Sequence, residues 1–209
     1  MSTEHSQEVA RVFDEWAQAG RDEGMADRHG LSARPVLEEL TPAADDRFLD
    51  LGAGNAWAAR WAQAAGARAV AVDVSPEMLA RAREAQPAPG LVQASFERLP
   101  FADRSFAFLF SMEALYYAED LDQALAEAFR VAETGGELHA LVDYYEGNPA
   151  SEGWPDKTGV DMHRLSPEGW EARLTEAGFT DVGTARVRSG EGESWRAEHG
   201  SLHVYGRKA

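Results

Sequence analysis

The stretch RFLDLGAGNAWAARWAQAAGARAVAVDVS, residues 47–75, constrains the fold of this chain more than any other. A short apolar run from Phe48 to Leu51 leads into glycines, an alanine-rich segment closes at Gly66, and a second apolar run ends at Asp73. Strand, helix and strand in that order form a β-α-β unit, whose two strands run parallel.

The alternation continues downstream. Ser75 as N-cap and Pro76 at the first helical position open the helix PEMLARAREA. The strands GLVQAS and SFAFLFS, the helix DLDQALAEAFRVAE and the strand GELHALVDYY follow. Ser166 and Pro167 start another helix that stops at Gly178, and two strand-like segments, DVGTARVR and SLHVYGRK, close the chain. The link between them, SGEGESWRAEHG, is short for a helical crossover and reads as part of a hairpin. Upstream, Val9, Val12, Phe13 and Trp16 recur at helical spacing between Gln7 and Ala19, and a second short helix covers Ala33 to Leu40. The expectation is one α/β domain of 209 residues with a doubly wound, mostly parallel sheet and an antiparallel last strand. Residues 1–40 form a helical cap, 41–146 the core, and 147–209 a loop, a helix and the terminal hairpin.

Composition narrows the chemistry. With no cysteine there are no disulfides, thiolate metal sites or thiol nucleophiles. A formal net charge of -16 argues against a nucleic-acid backbone as partner. No apolar run approaches a membrane span, and the N-terminus has neither basic leader nor apolar core, so a cytoplasmic protein with no membrane partner is expected. His199 and His203 have no carboxylate at ligand-like spacing, so no metal is expected.

The loop LDLGAGNAW then decides among nucleotides. G-x-G alone is only a tight turn that lets backbone approach a ligand. The dinucleotide fingerprint requires a third glycine where this chain has Trp57, and Asp50 would repel a pyrophosphate, so a nicotinamide oxidoreductase is disfavoured. An anion beside the turn suits a cationic ligand, and S-adenosylmethionine (SAM) is one. The segment LDLGAGNA resembles the first motif, D-x-G-x-G-x-G, of the class I SAM-dependent methyltransferases, with Ala56 in place of the last glycine. The motif order from about Phe48 to Val142 is similar to that family, which implies a seven-stranded Rossmann-like sheet.

That resemblance implies site residues. Gly52, Ala53, Gly54 and Asn55 would lie against the methionyl part and sugar, with Asp50 near the amino group. Asp73, at the end of the second strand, would accept from the ribose hydroxyls. Ser95 stands where the family usually has an aspartate before the adenine contact; Phe96, Glu97, Val74, Met78 and Ser111 complete the cofactor set. The arsenite-methylating branch is excluded by the absence of cysteine; the branch of quinone and sterol biosynthesis is the more similar one.

Acceptor contacts should come from beyond the fourth and fifth strands and from the cap. A hydroxyl acceptor needs a base, for which Glu113, Asp143, His29 and His163 are the candidates. Trp16, Tyr116, Tyr117, Tyr144, Tyr145 and His163 would line the pocket. His139, mid-strand, reads as a satisfied core histidine. The expectation is methyl transfer from SAM to an oxygen or nitrogen of a small molecule, leaving S-adenosylhomocysteine (SAH), by a monomer or homodimer. A catalytically silent SAM-binding protein is the alternative; a nucleic-acid methyltransferase is countered by charge and by the lack of an Asn/Asp-Pro-Pro-Tyr motif.

Lysine occurs only at Lys157 and Lys208, while carboxylates are plentiful, a balance that suits a solvated acidic surface in high salt. Salt screens the self-repulsion of such a surface. The thermal midpoint should therefore rise from low to molar salt; an unchanged midpoint would remove the high-salt reading.

Overall fold

The computed structural model describes residues 3–189 and 194–209. Residues 1–2 of the segment read for a leader, and residues 190–193 of the link before the last strand, lie outside them.

The strands are β1 (Arg47–Leu51), β2 (Arg68–Asp73), β3 (Gly90–Gln93), β4 (Phe106–Met112), β5 (Ala132–Val142), β6 (Thr180–Val187) and β7 (Ser201–Arg207). They form a seven-stranded sheet in the order β3-β2-β1-β4-β5-β7-β6. Pairing is parallel from β3 across to β5, whereas β7 runs antiparallel to both β5 and β6. The terminal hairpin places β7 inside, between β5 and β6, as expected of an antiparallel last strand. Strand order reverses at β1, which has β2 on one side and β4 on the other, so a crevice opens beyond their carboxyl ends.

Side-chain alternation on the strands builds two cores. Leu49 and Leu51 of β1 pack into one with Leu109, Leu138 and the helices α1 (Glu4–Gln18), α5 (Leu121–Val131) and α7 (Pro167–Ala177). Phe48 joins the other with Phe110, Leu141 and the helices α2 (Met25–Leu40) and α3 (Trp57–Ala64). The remaining helices are α4 (Pro76–Glu84), α6 (Trp154–Thr158) and α8 (Trp195–Glu198). None of the described helices is long and apolar enough to cross a membrane.

Several boundaries differ from the sequence reading; among them, the fifth strand begins at Ala132, directly after α5, rather than at Gly136. The second cap helix starts at Met25, not Ala33, and carries Pro35 inside it. Its buried face of Gly30, Ala33, Val36, Leu37 and Leu40 keeps helical spacing through both helix-breaking residues, and packing outweighs their local cost. The fifth strand ends at Val142, so Asp143 to Tyr145 turn away beyond the sheet.

The first helix is fastened where the crevice opens. Ser75 caps α4 through Met78 N–H (3.0 Å) and donates its hydroxyl to Asp14 of α1 at 2.6 Å. Arg81 of α4 donates to the Ala17 carbonyl at 3.0 Å. Those bonds lay α1 across the carboxyl ends of β1 and β2 as one wall of the crevice.

Candidate active site

The crevice holds a cavity of about 420 Å³, within the range of small-molecule sites. One end is lined by Gly52 and Gly54 after β1, Asp73 and Val74 at the end of β2, Met78, and Ser95 to Glu97 after β3. The other end is lined by Glu113, Tyr116 and Tyr117 after β4, Asp143 after β5, His29 of α2, and Trp154, Lys157 and Arg196. Phe13 and Trp16 of α1 close the side between them.

The glycines are required by space as well as by backbone angle. Gly52 has φ +65°, and a Cβ there would lie 2.2 Å from the Ala114 Cβ. Ala56, in place of a third glycine, holds φ 58° as the N-cap of α3 and gives no side-chain cap. Asp50 supplies it instead: its Oδ2 accepts Ala59 N–H at 3.0 Å from within the sheet. Burial, and next the charge of Asp73, push its carboxyl up to about 7.

Asp73 is the acid at the mouth of this end. Its Oδ2 accepts Gly54 N–H at 2.7 Å and its Oδ1 accepts Ser75 N–H at 2.8 Å. Burial raises its pKa against those bonds. A carboxylate has about four acceptor positions, so acceptor capacity remains beyond these backbone bonds.

At the opposite end Glu113 adopts a left-handed backbone, φ 57°. Its Oε1 accepts Asp143 N–H and its Oε2 accepts the Tyr116 hydroxyl at 2.8 Å. Burial, then the neighbouring Asp143, hold its carboxyl well above the usual range. Burial also raises Asp143, whose Oδ2 lies 3.6 Å from Arg196. His29 is pushed down to about 4 by burial and by Arg196 and Arg28, so it is neutral at pH 7 and presents an acceptor nitrogen.

The structure brings Glu113, Asp143 and His29 to one cavity, together with Gly52, Gly54, Asp73, Val74, Met78, Ser95, Phe96, Glu97, Trp16, Tyr116 and Tyr117. Asp50, Ala53, Asn55 and Ser111 lie behind the lining. Ala53 N–H binds the Val72 carbonyl, Asn55 donates to the Asp22 carbonyl at 3.2 Å, and Ser111 donates to the Leu51 carbonyl at 3.0 Å. Tyr144 stacks behind Trp154 and Tyr116. Tyr145 is turned the other way, its hydroxyl donating to the His199 and Gly200 carbonyls. His163 donates to the Ala118 carbonyl at 2.9 Å, outside the lining. Neither Tyr144 nor Tyr145 is in the lining, because each is held by these other partners.

Sequence reasoning pointed to the cap between Trp16 and His29, where Arg21, Met25 and Arg28 join the lining, but missed Trp154, Lys157 and Arg196. Lys157 carried a signal, as one of two lysines in the chain; the other, Lys208, donates to the carbonyls of Phe129, Arg130 and Ala132. His139 pairs with His203 (3.0 Å) and Glu137 (3.2 Å) away from the cavity. Among the described residues no group of three or more His, Asp or Glu could hold a metal ion.

The cavity combines a glycine turn, a buried acid and apolar side chains in one lining. The glycine turn admits close backbone contact, Asp73 keeps acceptor capacity for a diol, and Val74, Met78 and Phe96 offer apolar faces for a base. Comparison with known proteins agrees. A family profile described as a methyltransferase domain matches residues 49–140. The malonyl-(acyl-carrier protein) O-methyltransferase of Halorhodospira halophila is 36% identical over 183 residues, 83% of this chain and 61% of that protein. Its counterpart in Erwinia billingiae is 32% identical over 138 residues, 66% of this chain and 54% of that protein. The chain thus spans about half to three-fifths of the length of these curated relatives. A chain of the solved Haloferax volcanii complex, between the Trm112 methyltransferase activator and a protein described as a methyltransferase, is 31% identical. It superposes with a TM-score of 0.86 over 93% of this chain and 96% of that one. The chain belongs to the class I SAM-dependent methyltransferases.

The buried Asp50 gives a test of the cap. Its ordinary pKa is 3.8 and its folded value about 7, so the folded state holds an extra proton between them. The stabilising term is fully present below the lower value and lost as pH rises through the upper one. Asp50→Asn keeps an oxygen for Ala59 N–H and should flatten stability against pH across that window. Urea midpoints at about pH 4.5 and 7.5 that move equally in both proteins would place the proton elsewhere.

Proposed function

We propose that this chain is an active methyltransferase that moves the methyl group of SAM to an oxygen or nitrogen of a small-molecule acceptor. One observation carries the reading: the glycine turn with Asp73 and the acids beyond β4 and β5 line a single cavity. A silent binder would need only the first end. The O-methyltransferase relatives favour oxygen.

Asp73 would hold the ribose hydroxyls, Gly52 and Gly54 the methionyl side, and Ser95, Phe96, Val74 and Met78 the adenine. SAM supplies a sulfonium methyl open to in-line attack. The protein contributes position: Phe13 and Trp16 of α1 and the tyrosines after β4 exclude water around the acceptor, and fixed geometry can lower a barrier by about 7 to 11 kcal/mol. For a hydroxyl acceptor, Glu113 in its ionised form would take the hydroxyl proton as the C–O bond forms and the methyl leaves sulfur. Burial raises the affinity of its carboxyl for that proton, and Tyr116 orients it.

A second reading, that activity requires a small activator protein, rests on the Haloferax volcanii neighbour, which is held in such a complex. Turnover appearing only on addition of the activator would favour it.

A thermal melt tests the cofactor first. SAM or SAH at about a hundredfold over its dissociation constant should add roughly 2.7 kcal/mol, and NAD nothing. No shift with either would defeat the reading. Asp73→Asn should weaken SAH binding about tenfold or more, the loss of a charge-assisted pair; unchanged affinity in calorimetry would remove Asp73 from the ribose. Glu113→Gln should lower kcat while SAH affinity stays within about twofold, and an equal loss in both would make Glu113 a cofactor contact.

A further inference from the structure

Of the cations in the cavity lining, one has no partner among the described residues and another is only partly engaged by the fold. Of the four basic side chains in the lining, Arg28 donates to the Glu23 and Arg21 carbonyls, each at 2.9 Å, and Arg21 covers the Trp16 ring at 5.5 Å. Arg196 and Lys157 differ. The Arg196 guanidinium lies 4.2 Å over the Trp195 ring and only 3.6 Å from Asp143 Oδ2, the long edge of an ion pair. Its Nε is buried and has no hydrogen-bond partner among the described residues. A buried, unmet donor on a charged fork costs free energy in native structures and marks a place for an acceptor. Lys157 is exposed at the rim, and no ion pair or hydrogen bond from its ammonium occurs among the described residues.

We propose that Arg196, with Lys157 at the rim, holds a carboxylate of the acceptor, and that an oxygen of this carboxylate takes the methyl. This rests on the methyl-transfer reading above. The guanidinium fork matches the planar carboxylate, and the Trp195 ring fixes the plane of the fork. The step balances without a proton: a C–O bond forms to the methyl carbon as its bond to sulfur breaks, and the pair stays on sulfur. An anion and a sulfonium cation become a neutral ester and a neutral thioether. No general base is required. Burial raises the carboxyls of both Glu113 and Asp143, which lowers the charge that an incoming anion meets. With a carboxylate acceptor these acids serve to shape the floor, through the Asp143 N–H bond to Glu113 and the Tyr116 hydroxyl.

The test is calorimetry on wild type, Arg196→Gln and Arg196→Lys, each saturated with SAH. Malonate, succinate, glutarate and octanoate are titrated in, with their amides and a phosphate monoester as controls. At least one carboxylate should bind wild type, with its amide about tenfold weaker or more. Arg196→Gln should lose that binding, Arg196→Lys should regain part of it, and SAH affinity should be the same in all three. An SAH complex that takes no carboxylate, takes it equally well in Arg196→Gln, or prefers the phosphate monoester overturns the carboxylate site and leaves methyl transfer standing. Failure of the wild type to bind SAH brings down both. With SAM, the methylated product should release methanol in alkali; an alkali-stable methyl would overturn the ester step.

Discussion

The carboxylate of Asp73 is the group on which the cavity depends. It is buried, and a buried carboxylate must find donors or pay heavily in desolvation. It finds the Gly54 N–H of the turn after β1 and the Ser75 N–H that begins α4. Two strands and a helix are thereby fixed to one side chain. Ser75 passes the restraint on, because its hydroxyl binds Asp14 of α1 and so sets the wall over the cavity. The glycine turn fits only because Gly52 has no Cβ to meet Ala114 after β4.

Four acids at or beneath this site, Asp50, Asp73, Glu113 and Asp143, have carboxyls raised chiefly by burial. They are treated differently by their surroundings. Asp50 and Asp73 receive backbone N–H bonds, and Glu113 one bond each from backbone and tyrosine. Asp143 has Arg196 at ion-pair range. The difference matters for a cationic nucleoside, since the backbone N–H bonds to Asp73 favour its charged form against burial. At the opposite end His29 is uncharged, burial raises Glu113 and Asp143, and Arg196 and Lys157 are cations of the lining.

The sheet was legible because each strand is an apolar run ended by a turn signal, and the helices carry their own caps: Ser75, Asp120 and Ser166 each accept a backbone N–H as N-cap. The cofactor end of the cavity was legible because it is built from residues consecutive with strand ends, such as Gly52, Gly54 and Asp73. The acceptor end was only half legible. Glu113 and Asp143 follow strands, but Arg196 comes from a four-residue helix in a hairpin link, and Lys157 from a five-residue helix in a polar stretch. Nothing in local spacing says which way such short elements point. Tyr145 and His163 illustrate the same limit, since each found a backbone carbonyl nearby and turned from the cavity to it. Asp50 was read as a ligand group because it precedes the glycines, whereas β alternation points it toward α3, whose N-cap, Ala56, has no oxygen to give.

Charge outside and charge inside the cavity act on an anion in opposite senses. A net charge of -16 repels an anionic small molecule at distances beyond the site, and that repulsion fades over a Debye length of about 8 Å at physiological ionic strength and about 3 Å in molar salt. The Arg196 guanidinium, partly buried over Trp195, is far less screened. Rising salt therefore removes the barrier to approach faster than it weakens the contact at the end of it. An acidic surface and a cationic contact inside the pocket are compatible in one chain when salt is high, and in dilute buffer the same surface slows the encounter.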